Sequence, residues 1–295
     1  MIVQPRLRAR TRRRRDRLTP WQGLLLAVAV VLTLFPVYWM VNASLKTNFE
    51  LLSGSHLSLF PDLTSLQLGN YVQMWRQLEF ASYLRNSLIV DSAATVVAVS
   101  LAALAGFSLA YFRFRGAGAF GIAITATQLL PGIMFLLPAY LILRQVGLAT
   151  GVQLIDTYQG LILLYVAFFM PLSIWILRSY FSAIPRELVE SAQVDGCSVM
   201  GAFWRVVLPL SVPGLIATAT YIFLSAWDEL LFAAVMMNTA ATQTMPVGIR
   251  DYIGTVHHHY DLLMAAATVA CVPPALVFLF LQRYMVSGLT AGAVK

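Results

Sequence analysis

Apolar residues along this chain come in long runs rather than in stripes. Six runs stand out: residues 21–41, 86–112, 119–143, 159–178, 211–237 and 262–282. A helix needs about 20 consecutive, mostly apolar residues to cross the hydrocarbon of a bilayer. The pattern therefore predicts an all-α integral membrane protein with six transmembrane helices. Two of the intervening stretches are long. Residues 42–85 contain "GNYVQMW" and "EFASYLRNS", too apolar for a disordered linker, and predict a structured cap with short helices. Residues 182–210 contain "ELVESAQVDGCSVMGAFWRVVLPL", where the pattern changes to short charged and apolar alternations at helical spacing.

Composition supports the membrane reading. Of 295 residues, 59% are hydrophobic and 11% charged, against about 25% charged in ordinary soluble domains. Basic residues are placed unevenly: eight arginines lie in the first 17 positions. Such a run suits a nucleic-acid arm or a cytoplasmic flank of a first span. Trp21 opens an apolar run directly after it, so the flank is the expectation and no nucleic-acid partner is expected. With the amino terminus inside, 15 basic residues fall on cytoplasmic segments and five outside, which predicts both termini in the cytoplasm. The expected organisation is a basic cytoplasmic segment 1–20, a six-helix transmembrane domain 21–282 and a cytoplasmic tail 283–295. The protein is expected to sit among lipid as a multi-pass membrane protein. The first run exceeds a signal-peptide core of about 7–15 residues, and no small-residue cleavage site follows it. Cys197 and Cys271 fall in a loop and a span and are expected to stay unpaired.

Several runs carry interruptions. Pro131-Gly132 and Pro138 fall in the third, Pro171 in the fourth and Pro273-Pro274 in the sixth. Proline removes a backbone donor and kinks a helix, which membranes tolerate where protein or a wet cavity satisfies the freed groups. Static packing explains any one of them; three broken spans point to a bundle that encloses a path. Ala102, Ala103, Ala105, Gly106 and Ala110 would let the second span pack closely.

The 182–210 loop reads as two short helices and a turn. Pro185 suits a first helical position, and Glu187 and Glu190 put negative charge near a helix N-terminus. Leu188 and Ala192 are expected on the face opposite those acids. Gly196 suits the left-handed residue that ends a helix, and Ser198 suits the cap of a second one. Val199, Phe203, Val206 and Val207 make its apolar stripe, and Pro209 is expected to close it.

At this point the chain resembles a known family. Glu190-Ser191-Ala192, then Asp195-Gly196, then Leu208-Pro209 resembles the EAA loop of ABC importer permeases, written E-A-A, three further positions to G, then I-x-L-P. "NYVQMW" and "NSLIV" are similar to the outer loop and second span of the carbohydrate-type permeases. "SAWDELLFA" is similar to their S-x-W-N-E-F-L-F in the fifth span, and "QRYMVSGLTAGAVK" to the C-terminal ending of the MalG type. The resemblance covers residues 36–295 and implies the type I ABC importer permease fold with cytoplasmic coupling helices, a permease domain over residues 21–282 and a place in a bacterial-type cytoplasmic (inner) membrane. It further implies that Glu190, Ser191, Ala192, Asp195, Gly196, Leu208 and Pro209 couple to an ATPase. Glu190 would meet an ATPase arginine, and Gly288, Leu289, Gly292 and Ala293 would reach the ATPase dimer interface. The implied partners are a second homologous permease, a cytosolic ATPase dimer and an extracytoplasmic substrate-binding protein. ATP and Mg would bind to the ATPase, leaving this chain without a cofactor. Ser191 and Cys197 replace alanines of the pattern, and Asp228 replaces its asparagine.

Three acids fall within the runs: Asp91, Asp228 and Glu229. A charged residue at the bilayer centre costs about 2.5–3.5 kcal/mol on insertion scales, so such groups face protein or water. Asp91 is expected near the outer end of its span, within reach of water. Trp227, Asp228 and Glu229 are the candidates for a translocation path. Asp228 and Glu229 point about 100° apart on a helix, so one is expected on the path and the other in packing. Trp227 suits either stacking on a sugar or packing in the bundle. His257–His259 lack the helical spacing of strong zinc motifs and are expected to be a solvated loop. The sequence has no phosphate loop and no nucleophile–base constellation, so no enzyme activity is expected. The leading expectation is an ATP-driven import permease for a sugar or related polyol. The alternative is an ion-coupled secondary transporter using Asp228 or Glu229.

Overall fold

The computed structural model describes residues 19–53, 58–60, 64–77, 79–255 and 259–291. All regular elements among them are helical. In order they are α1 (Pro20–Ser44), α2 (Asn48–Ser53), α3 (Gly69–Gln77), α4 (Phe80–Tyr111), α5 (Ala117–Leu129), α6 (Ile133–Thr150), α7 (Tyr158–Ser182) and α8 (Arg186–Val194). After α9 (Val199–Ala202) comes a π-helical turn (Phe203–Val207), then α10 (Leu208–Leu210), α11 (Val212–Trp227), α12 (Leu231–Met236), α13 (Met245–Thr255), α14 (Tyr260–Ala270) and α15 (Val272–Ala291). Five stretches are long and apolar enough to span: α1, α4, α6, α7 and Tyr260–Tyr284. A sixth is the pair 199–210 and Val212–Trp227, bent by 77° between them.

Breaks fall where local chemistry forces them, and two differ from the expected runs. The third run splits into α5 and α6 because Leu130 precedes Pro131 and takes an extended ψ of 135°, the conformation proline imposes on its predecessor. The second piece then continues to Thr150, where Gly151 at φ +73° ends it. The fifth run is broken at residues 228–230 rather than continuous. Pro138 and Pro171, in contrast, lie inside unbroken helices α6 and α7 and do not interrupt them. Loss of one ladder bond is tolerable while the remaining turns stay packed. Helix α13 lies outside every apolar run. The cap over residues 42–85 does contain short helices, with Asn70 Nδ2 donating to the carbonyls of Ser44 and Lys46.

The centre of the bundle is α4 against α7, with α11 and α12 laid over them. Val90, Ala94, Ala98, Leu161, Tyr165 and Ile222 form its buried core. The small residues of α4 allow this contact: Ala102, Ala103 and Gly106 are buried. A Cβ on Gly106 would stand 3.0 Å from the Arg178 backbone nitrogen and 3.2 Å from the Ile174 carbonyl oxygen, so α4 and α7 approach backbone to backbone there. Asp91 departs from its expected place. Because α4 starts at Phe80, Asp91 sits about three turns inside the helix, is 1% exposed, and no donor reaches either carboxylate oxygen. Cys197 and Cys271 are free thiols.

Candidate functional site

The 182–210 element is built as two docked helices around a tight turn. Helix α8 follows Pro185, which lies one position before its first helical residue. The helix ends in a Schellman arrangement: Gly196 N donates to the Gln193 carbonyl at 3.0 Å and Cys197 N to the Ala192 carbonyl at 2.9 Å. Gly196 has φ +87°, a conformation that side chains resist. Ser198 then caps α9 by accepting from Gly201 N at 3.1 Å. Arg205 Nη1 reaches Cys197 Sγ at 3.7 Å and ties the turn to the π-helical segment.

One side of this element is sunk into the bundle. Val189, Ala202, Phe203 and Val207 are at most 5% exposed and pack on Phe107 of α4 and Phe181 of α7. The Phe203 ring lies 4.7 Å from that of Phe107 and 6.2 Å from that of Phe181. Arg186 Nη2 donates to the Ala110 carbonyl at 3.3 Å, pinning the start of α8 to the end of α4. The expected apolar face of α8 is corrected here: Val189, not Leu188, carries the contact. Leu188 is 43% exposed because α8 is rotated to seat Val189 and Ala192 on that cluster. Pro209 does not end the segment either; it lies within α10, and the chain turns after Leu210.

The other side is uncovered. Glu187, Glu190, Ser191, Asp195 and Gly196 are all exposed. Between them stand exposed apolar side chains the sequence reading passed over, Val194 at 88%, Trp204 at 60% and Met200, together with the displaced Leu188. None of the three acids forms an ion pair within the described residues. Large apolar groups next to unpaired acids, on a rigidly seated element, make a surface fit for docking a protein. Leu208 is half-buried beneath this surface and Pro209 exposed beside it.

A second constellation lies where the fifth apolar run is interrupted. After Trp227 the helix stops, and Asp228 and Glu229 take opposite roles. Glu229 turns inward: its Oε1 accepts from Phe232 N at 2.9 Å and its Oε2 from Ala233 N at 3.0 Å, capping α12. The buried Tyr165 hydroxyl donates to the same Oε2 at 3.0 Å. Asp228 is exposed and lines a cavity of about 420 Å³ between α11, α13 and the α14–α15 break. Trp227 is 7% exposed, stacks on Phe223, and donates its Nε1 hydrogen to the Ala270 carbonyl at 3.2 Å. Its ring edge borders that cavity, but its face is committed to packing.

At the end of the bundle opposite the α8–α10 element, Asp156 joins two connections. Its backbone nitrogen donates to the Met236 carbonyl, and its carboxylate accepts from the backbone nitrogens of Asn238 and Thr239 and from the Thr242 hydroxyl. Burial pushes this carboxyl up, but the hydrogen bonds it accepts from Thr242, Thr239 and Asn238 outweigh that and hold the group below its ordinary 3.8. Gly288 and Leu289 lie in the last turns of α15, while Gly292 and Ala293 fall outside the described residues. His257 and His258 also fall outside them; His259 Nδ1 is 3.7 Å from Asp261 Oδ1.

Comparison with known proteins adds a family. Residues 98–290 match the family described as binding-protein-dependent transport system inner membrane component. The diacetylchitobiose uptake system permease protein of Streptomyces coelicolor is 34% identical, with 93% of this chain and 96% of that protein aligned. The trehalose/maltose transport system permease protein of Thermococcus litoralis is 35% identical, over 90% and 92% of the two chains. Among solved structures, a bacterial ABC transporter involved in import of the acidic polysaccharide alginate superposes with a TM-score of 0.77. It covers 90% of this chain and 95% of that one at 19% identity.

Proposed function

The chain belongs to the family of binding-protein-dependent transport system inner membrane components, and from that membership we propose that it is one permease subunit of an ATP-driven ABC importer for a sugar or related polyol. It is a multi-pass protein of the inner membrane and a transport subunit, not an enzyme. In this proposal both termini and the α8–α10 element face the cytosol, where that element docks into an ATPase dimer that holds ATP and Mg. A second, homologous permease completes the membrane path. An extracytoplasmic binding protein delivers the substrate, and the α15 tail with Gly288 and Leu289 extends toward the ATPase interface. The carbohydrate assignment draws on what the aligned relatives are named for transporting. An ion-coupled mechanism is less well supported, since Glu229 is committed to capping α12 and bonding Tyr165.

The observation that carries the docking role is the two-sided α8–α10 element. Val189, Phe203 and Val207 fix it to α4 and α7, so force applied to the exposed Glu190–Val194–Trp204 side reaches the bundle directly. Truncating one partner of a hydrogen-bonded charge pair at an interface costs about 2–5 kcal/mol, much of it from the charge left behind. Glu190→Ala is therefore expected to weaken ATPase attachment while the bundle still inserts. Gly196→Pro, which cannot adopt φ +87°, is expected to uncouple hydrolysis from transport. Co-purification of the ATPase and binding-protein-stimulated ATP hydrolysis in proteoliposomes provide the test. Full retention of both by the two variants would remove the docking role.

A further inference from the structure

The Asp228 cavity combines an exposed carboxylate with apolar walls. It lies where α11 stops before α12 and beside the α14–α15 join, where the backbone stays helical through Cys271 but Pro273 and Pro274 supply no amide donor. Irregular backbone at membrane depth, as at residues 228–230, persists where it is buried in protein or lines a water-filled space. The walls are formed by Trp227, Met245, Ile249, Cys271 and Pro274, with leucine, alanine and a second proline at the other lining positions. None of these side chains offers a free N–H or O–H, because the Trp227 nitrogen is already donating to Ala270. Asp228 is the one charged lining group, and no described residue donates to its carboxylate or pairs with it. The cavity thus presents two strong acceptors, a negative charge and apolar walls.

We propose that this cavity is a selectivity subsite on the substrate path: Asp228 accepts hydrogen bonds from the hydroxyl or ammonium groups of a neutral or cationic saccharide and rejects anionic ones. The proposal rests on the importer reading given above. A hydroxylated ring supplies the donors the walls lack, and its C–H faces match the apolar lining. A carboxylated or phosphorylated sugar would place a second negative charge beside Asp228 with no cation on the wall to offset it.

Cys271 lines the same cavity and is exposed, which supplies an internal reporter. The experiment uses the assembled importer without nucleotide and follows the Cys271-containing peptide by mass spectrometry. Two methanethiosulfonate reagents of similar size are compared, one carrying a trimethylammonium group and one a sulfonate. For two lining groups of one cavity, taken as about 6 Å apart for scale, a unit charge in a water-like medium changes each rate about threefold in opposite directions. The cationic-to-anionic rate ratio should therefore fall about tenfold in Asp228→Asn and further in Asp228→Lys. In the second arm, glucosamine, trehalose and glucuronate are added at equal concentration. Glucosamine and trehalose should slow modification of the wild-type chain, glucuronate should not, and Asp228→Asn should gain protection by glucuronate. A rate ratio unchanged by Asp228→Asn overturns the proposal. So does protection by glucuronate equal to that by glucosamine, or protection by none of the three. Labelling requires no ATP turnover, so failure of the ATPase-docking test and failure of this one are read separately.

Discussion

Replacing Glu229 should destabilise the bundle in a graded way set by how many donors lose their acceptor. The side chain satisfies the backbone N–H groups of Phe232 and Ala233 and the Tyr165 hydroxyl. Phe232 is 4% exposed, and Ala233 and Tyr165 are 0%, so water cannot replace the lost acceptor without rearrangement. Each buried donor left unsatisfied costs about 1–3 kcal/mol. Glu229→Ala strands three and should cost about 3–6 kcal/mol after partial relaxation. Glu229→Gln keeps one amide oxygen for Phe232 N, and Tyr165 can rotate to accept from the new NH2, so only Ala233 N is stranded, at about 1–3 kcal/mol. Tyr165→Phe removes one donor and leaves Oε2 bonded to Ala233 N, a loss of about 1 kcal/mol. The assay is thermal unfolding of the detergent-purified complex, followed by loss of the monodisperse species. The double variant Glu229→Gln with Tyr165→Phe adds a cycle whose coupling should lie between about 0.5 and 3 kcal/mol. Glu229→Ala being no less stable than Glu229→Gln would refute the capping role.

Two further outcomes follow from the geometry. A Cβ on Gly160 would stand 1.7 Å from the Leu154 carbonyl oxygen, whereas one on Gly23 would meet nothing within 4 Å. Gly160→Ala should therefore lower stability by at least about 2 kcal/mol and Gly23→Ala leave it unchanged; equal melting behaviour of the two would contradict the packing. Asp156 titrates below 3.8 in the folded protein, so the stability it contributes is complete above that value and is lost as pH falls through the lower folded value. The wild type should exceed Asp156→Asn in stability at pH 7 by more than at pH 3, and a gap that widens on acidification would reverse the sign of this linkage.

Local grammar was legible in the sequence and docking orientation was not. Ser198 and Gly196 sit where cap and turn chemistry place them, because those roles depend on the neighbouring few residues. The face of α8 depends instead on which side chain meets Phe107 and Phe181, which belong to other helices. Val189 therefore displaced Leu188. Asp91 was misplaced because the start of α4 is set by Phe80, which packs with Met74 and Met245 from other elements. The fifth run looked continuous because Leu230, Leu231 and Phe232 are apolar. Its one available signal was the adjacent pair Asp228-Glu229: two acids mid-run are most easily accommodated where a helix ends and a cap begins. Family membership was legible from three spaced motifs; the uncovered Val194, Met200 and Trp204 were not, since exposure is a property of the docked element.

Helix α11 is 16 residues long, about 24 Å at 1.5 Å per residue. The 77° bend limits it at one end and the Asp228 break at the other. Such a rod has pivots at both tips and a stiff middle. A sideways step of about 2 Å imposed at Leu210 must then appear as a tilt near 5° of the whole rod, or be absorbed at one of its two joints. The far joint is the rim of the Asp228 cavity, so the same short segment that seats the π-helical turn also sets the shape of that opening. In mechanical terms α11 is a lever arm, and its gain is fixed by where the chain chose to stop being helical.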